Sequence, residues 1–364
     1  MPLSTIPPCS GGPTLLILSL GELGTCLLES AARSNIFQTI FVASRSLEKA
    51  QERANNAATG AGIEGVFPDI RAVAMDFNQP EFPRQLRDLN PDFVFSAPSL
   101  LPWWKLGDRG ANLPFASFTA LHLSLMQTLR NAMAQADLPG VWIGASFPDV
   151  INPVLSRTGY GPTCGIGNVQ EPIAKIQAGV AQAAGCAPTE IDVRLVAQHA
   201  FEYHVLNATP STELPPYLLQ ASVGGRDVSD LAETALRSPY PFPYDLHFNR
   251  VTASAALVAL RALNGEDETA IHLPGIDKLI GGYPVLASRA GIKMNLPADW
   301  SEAQAVAVNE ASLPWDGIAG VDADGTIHYS QETAAGLLNL TGQPFETLTP
   351  DTAAAQAQAL LEAL

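Results

Sequence analysis

The sequence predicts an α/β protein: a doubly wound parallel sheet in the first half and an α+β domain in the second. Three observations predict this. Apolar runs of strand length alternate with helical periodicity up to residue 146, a glycine turn joins the first strand to the first helix, and the second half mixes helices with hairpin-like segments. At 364 residues the chain is long enough for two domains, since a single core stops growing near ~300 residues.

After a Pro/Gly-rich lead over residues 1–13, "TLLILSLGELGTCLLESAARS" reads as strand, turn and helix, with Leu23, Leu27, Leu28 and Ala31 on the buried face. The second strand is "TIFVASRS" (39–46), followed by the helix "LEKAQERANNAA". "RAVAMDF" (71–77) and "DFVFSAPS" (92–99) are the third and fourth strands. A long amphipathic helix over 115–136 leads to a fifth strand, "VWIGAS" (141–146). This alternation is that of a Rossmann-like dinucleotide-binding domain, assigned to residues 14–153.

An α+β domain is expected over residues 154–345. It contains the helix "EPIAKIQAGVAQAAG", a strand "EIDVRLVAQHA" ending at His199, the helix "VTASAALVALRAL", and hairpin segments in "YPVLASRAGIKMNLP" and "GIAGVDADGTIHYS". The Ala-rich end, residues 346–364, is expected to finish as a helix. "LIGGYPV" and "DGIAGVDADGT" are expected to be tight turns, and "DADG" lacks the ligand spacing of a calcium loop.

Thirty-six acidic against twenty basic side chains give a net charge of -16, with no basic patch in the sequence. That balance argues against nucleic-acid or anionic-membrane partners and leaves a small-molecule substrate. Cys9, Cys26, Cys164 and Cys186 are widely spaced, without CxxC or CxxH patterns, so neither a disulfide framework nor a zinc site is expected. The N-terminus has no positively charged n-region and no apolar run approaches ~20 residues. A cytoplasmic protein is expected.

The chemistry starts at Ser19, Leu20, Gly21, Glu22, Leu23, Gly24. This run carries the second and third glycines of the dinucleotide GxGxxG pattern, directly after a strand and opening a helix, so Gly21, Glu22, Leu23 and Gly24 are expected around a pyrophosphate. An NAD site puts an acidic residue at the end of the second strand; here Ser44, Arg45 and Ser46 offer a guanidinium and two hydroxyls, suited to a 2′-phosphate. NADP is therefore favoured, with NAD as the alternative. Ala97 and Pro98, at the end of the fourth strand, complete the expected cofactor contacts.

"FVASRSLEKAQERA" resembles the cofactor-binding half of saccharopine-dehydrogenase-like proteins. Across residues 115–205 the order of features is similar to the lactate/malate dehydrogenase superfamily: long helix, strand, "FPDVINPVL", "TCGIGNVQEPIAKIQAGVAQAAG", and a strand ending in His. The resemblance implies that Asn152 and Pro153 match an Asn-Pro that positions nicotinamide and substrate. It also places Gly165 and Gly167 on a glycine pair, Glu171 on a helix carboxylate that orients the His, and His199 on the acid/base. Those roles suit hydride transfer, because His titrates near working pH and a carboxylate on its second ring nitrogen fixes the tautomer. A homodimer or homotetramer is also implied.

Departures from the pattern bear on the substrate. The family's anchor arginine falls on Ala174, with Lys175 next, and Gln198 and Ala200 replace the glycines that flank the His. The mobile loop's counterpart, "LLPWWKLGDRGANLP", offers Lys105 and Arg109. Asn168, Lys175, Arg109, His204 and His247 are the expected substrate contacts, while His122 is read as a satisfied core or surface residue.

NAD-dependent glycosidases of the same superfamily bind a divalent metal through a Cys-Asn pair and a later Asn-His pair. Gly167 takes the Cys position here, and Cys164 lies three residues early, so a metal-free reaction is expected. The expected function is an NADP-dependent oxidoreductase acting on a hydroxy acid, a sugar-type alcohol or an imine. The alternatives are a glycosidase-like redox elimination and a non-catalytic nucleotide sensor.

Overall fold

A computed structural model of the chain describes residues 12–101, 113–138, 140–209 and 211–364. Its first sheet is built from β1 (Thr14–Ile17), β2 (Thr39–Ser44), β3 (Asp69–Ala74), β4 (Phe93–Ser96) and β5 (Val141–Gly144), all parallel, in the order β3-β2-β1-β4-β5. Between them run α1 (Glu22–Arg33), α2 (Leu47–Ile63), α3 (Phe82–Leu89) and α4 (Thr119–Ala136). The five strands and the helices α1, α2 and α4 match those expected from periodicity, whereas α3 was not expected. Beyond β5 the sheet gains one more rung: Cys164 makes a lone parallel bridge to Ile143, and the Thr163 amide donates to the Trp142 carbonyl at 2.7 Å.

The second half begins with α5 (Ile151–Arg157), α6 (Ile173–Ala184), β6 (Ile191–Val196) and α7 (Ala200–Val205). β7 (Leu218–Val223), β8 (Arg226–Asp227), α8 (Ser229–Leu236), α9 (Asn249–Asn264) and β9 (Thr269–Pro274) follow, then β10 (Gly282–Ser288), β11 (Gly291–Met294) and α10 (Glu302–Asp316). β12 (Ile318–Val321), β13 (Ile327–Tyr329), α11 (Gln331–Thr341), β14 (Thr347–Leu348) and α12 (Ala353–Ala363) complete the chain. Its strands form three small sheets, β6-β7-β8, β11-β10-β9 and β12-β13-β14. No helix among the described residues is long and apolar enough to cross a membrane.

Three hydrophobic cores hold the described residues together. Leu16, Phe41 and Val94 point to one face of the parallel sheet and share a core with α4, with Ile318 and Ile327, and with Ala353, Ala357 and Leu360 of α12. Leu15, Ile17 and Phe95 point to the other face and pack with Leu27 and Leu28 of α1, Leu260 of α9 and Val285 of β10. This follows from the two-residue strand period, which sends alternate side chains to opposite faces, both of which must be covered in a parallel sheet. Only the third core, around α6, α8, β6 and β7, belongs to the second half alone. Residues 318–364 thus pack onto the domain of the parallel sheet.

Candidate active site

The turn after β1 is held tight by Gly24. A Cβ there would lie 1.6 Å from the Ser19 carbonyl oxygen, so no side chain fits without moving the turn. Gly21 differs: a Cβ on it would meet nothing within 4 Å, and it starts α1 with no side-chain cap. The first-turn amides are therefore left without an intrahelical partner on an open face, the arrangement that receives phosphate. Ser19, standing where the pattern has its first glycine, accepts the Ala97 amide on its hydroxyl at 3.3 Å and ties the turn to the end of β4.

From this turn one continuous cavity of about 650 Å³ runs across the carboxyl ends of the strands to His199. Gly21, Glu22, Leu23, Gly24, Ser44, Arg45, Ala97 and Pro98 all line it, as does Lys49, which sequence reasoning missed. Arg45 and Lys49 place two cations beyond β2. Ser46 is a correction: it does not line the cavity, and its hydroxyl caps α2 by accepting the Lys49 amide at 3.2 Å.

At the far end, His199 sits three residues beyond β6 as the residue preceding α7, where the backbone turns into αR geometry. Its Nδ1 lies 3.1 Å from both carboxylate oxygens of Asp316, the last residue of α10, which is fully buried. Gln198 donates to the same carboxylate. Burial alone would push the His199 pKa down, but Asp316, followed by Asp149 and Glu171, more than offsets this and holds it above the usual histidine value.

Glu171 was expected to be the orienting carboxylate, and this assignment is corrected. It lines the cavity, but its Oε1 accepts the Thr252 hydroxyl at 2.7 Å, and its close neighbour is Glu202. Both glutamates are buried, and that burial raises both; Glu202, with Glu171 beside it, is raised well above its usual range. Asp149, another missed residue, accepts from Asn168 Nδ2 at 2.5 Å, and burial raises its pKa to about 6.

Asn152 is the third correction. It lies in α5, and its Nδ2 donates to the Gly144 carbonyl at 2.8 Å, away from the cavity. The strand end that the family's Asn-Pro would hold carries Phe147 and Pro148, joined by a cis peptide, and Phe147 lines the cavity. Lys175 is also corrected. Its Nζ donates to the carbonyls of Val205, Leu236 and Ser238 at 2.6, 2.6 and 2.8 Å, behind the site, and desolvation lowers its pKa to about 8.

His204 and His247 do not line the cavity either. His204 Nδ1 pairs with the Ser211 hydroxyl at 2.9 Å beside Trp315, and His247 is exposed on a short 3-10 turn. Asn168 does line the cavity, whereas Arg109 lies outside the described residues. His122, read in the sequence as a core or surface residue, is buried and also lines the cavity, its ring tilted against Phe147 with centroids 4.5 Å apart; burial lowers its pKa to about 4 and keeps it neutral. Cys164, pushed up to about 12 by burial, lies in the sheet rather than beside His199. Among the described residues no group of three or more His, Cys, Asp or Glu side chains is placed to hold a metal ion.

No protein-family model matches the chain, and no curated protein matches its sequence. Solved structures do match. A lactate dehydrogenase from a Medee basin deep-sea metagenome library aligns with TM-score 0.58 and 11% identity, over 84% of this chain and 96% of its own. Cryptosporidium parvum malate dehydrogenase gives 0.57 and 13%, over 84% and 96%, and Aeropyrum pernix malate dehydrogenase 0.54 and 14%, over 82% and 94%. With a five-stranded parallel sheet feeding smaller antiparallel sheets along nearly the whole length of these enzymes, the chain has the lactate/malate dehydrogenase-like fold.

Proposed function

We propose that the protein is an NADP-dependent oxidoreductase in which His199 exchanges a proton with a small polar substrate. One observation carries this reading: a single cavity joins an uncapped helix N-terminus behind a glycine turn to a buried, carboxylate-paired histidine. The residues present fit a nicotinamide dinucleotide. Gly24 gives the close approach, Gly21 leaves the α1 amides open, and Arg45 and Lys49 offer cations for a 2′-phosphate. When bound, such a cofactor supplies hydride transfer at its nicotinamide ring.

The chain's own residues supply the rest. Asp316 fixes the tautomer of His199 by accepting from Nδ1–H, which directs Nε2 to the substrate, and it stabilises the imidazolium. In the reducing direction His199 donates a proton to the substrate heteroatom; in the oxidising direction it takes that proton back. Phe147, Tyr203 and neutral His122 line the same end.

Titration calorimetry with NADPH and NADH on the intact protein tests the cofactor assignment. Tighter binding of NADPH is expected, falling ~10–100-fold in Arg45→Ala, the loss equivalent to one charge-assisted hydrogen bond. Tighter NADH binding, unaltered by that substitution, would overturn it.

A further inference from the structure

The substrate end of the cavity is lined by acceptors. Asp149, Asn168, Glu171 and Glu202 all contribute to it, and each is more than nine-tenths buried. Asp149 spends one oxygen on the Asn168 amide, leaving its Oδ1 without a partner, and Asn168 Oδ1 is likewise unpartnered. Two buried acceptor oxygens with no donor are costly unless a ligand completes them. The aromatic rings of Phe147 and Tyr203 line the same space, offering faces and edges that suit an organic cation. Among the described residues, the basic side chains on the cavity wall other than histidine, Arg45 and Lys49, are at the opposite end.

From this arrangement we infer that the substrate is an organic amine carried as a cation, an alkylammonium or iminium group whose N–H donors complete Asp149 Oδ1 and Asn168 Oδ1. A hydroxy acid would instead bring its carboxylate against Asp149 and the glutamate pair, where like charges repel at low dielectric. Glu171 and Glu202 add two further buried carboxyl groups to this end, each raised by burial. The inference rests on the oxidoreductase reading for the identity of the site, but it concerns binding and can be tested apart from turnover.

Benzylammonium, benzyl alcohol and benzoate share one ring and differ only in the polar head, which makes them suitable probes. Each is titrated by calorimetry into the intact protein, with and without NADPH. Benzylammonium is expected to bind at least ~10-fold more tightly than benzyl alcohol, a difference of ~1.4 kcal/mol, and benzoate the most weakly. In Asp149→Asn the preference for the cation is expected to vanish while NADPH still binds, which also shows that the variant is folded. Equal binding of the alcohol and the cation, tighter benzoate binding, or an undiminished preference in Asp149→Asn would each overturn the inference. Loss of NADPH binding by the wild-type protein would instead remove the oxidoreductase reading.

Discussion

Asp316 and His199 stand 117 residues apart in sequence, and both carboxylate oxygens of Asp316 lie 3.1 Å from His199 Nδ1. The C-terminal end of α10 thus supplies the carboxylate that the lactate/malate dehydrogenase resemblance places on a different helix. Replacing it tests the pair. Asp316→Asn is expected to reduce turnover by ~10²–10⁴-fold, the range for loss of effective acid/base catalysis. It is also expected to shift the pH profile in a definite direction. Burial pushes the imidazole down and Asp316 is the largest influence raising it, so without the carboxylate the proton leaves at lower pH. The alkaline limb of the reductive rate should move to lower pH, a result that a rate profile from pH 5 to 9 would reveal.

Asp149 carries a pH-dependent cost to folding. Its pKa is raised from 3.8 to about 6, first by burial, so the folded state binds the proton more tightly than the unfolded chain. The stability from this group is fully present below 3.8 and is lost as pH rises through about 6. At ~1.4 kcal/mol per unit this amounts to about 3 kcal/mol. Asp149→Asn is therefore expected to gain on the wild-type protein as pH goes from 4 to 7. Urea midpoints for the two proteins across that range provide the comparison.

Gly24 is a geometric requirement. Its missing Cβ would stand 1.6 Å from the Ser19 carbonyl oxygen, so Gly24→Ala must displace the turn and is expected to cost ~1–3 kcal/mol, as overpacking does. NADPH binding should fall with it. Gly21→Ala, where nothing stands within 4 Å, should keep the stability and weaken cofactor binding alone, and thermal melts with and without NADPH distinguish the two.

Lys175 acts as a tie between elements. It joins α6 to the carbonyls of Val205, Leu236 and Ser238, and Lys175→Met would leave these without their donor. A loss of at least ~2 kcal/mol is expected, since each buried unsatisfied group costs ~1–3 kcal/mol. Cofactor affinity should not change, because the side chain does not reach the cavity. Denaturant unfolding and an NADPH titration on the same sample check both halves of this expectation.

Local pattern made much of this fold legible. All five parallel strands, the glycine turn, and the placement of Arg45, Asn168, Glu171 and His199 at the cavity follow from strand runs, turn residues and chain order. Interactions across long sequence separations were not legible. Asp316, in "PWDG", carries no sequence mark of a histidine partner, and neither does Asp149 in "FPDV". Lys175 and Asn152 were misplaced for a related reason: spacing along a helix shows that a polar residue is present, but not whether a backbone carbonyl is waiting for it. The pairing of residues 318–364 with the first sheet was hidden as well, since apolar periodicity marks a buried face without naming the face that covers it.

His199 is proposed to face a bound nicotinamide in the cavity that begins at Gly21. A crystal structure of the protein with NADPH tests it most directly. The pyrophosphate is expected on the α1 amides, the 2′-phosphate against Arg45, and the nicotinamide ring beside His199. A nicotinamide ring outside the His199 end of the cavity, or a pyrophosphate away from α1, would contradict it.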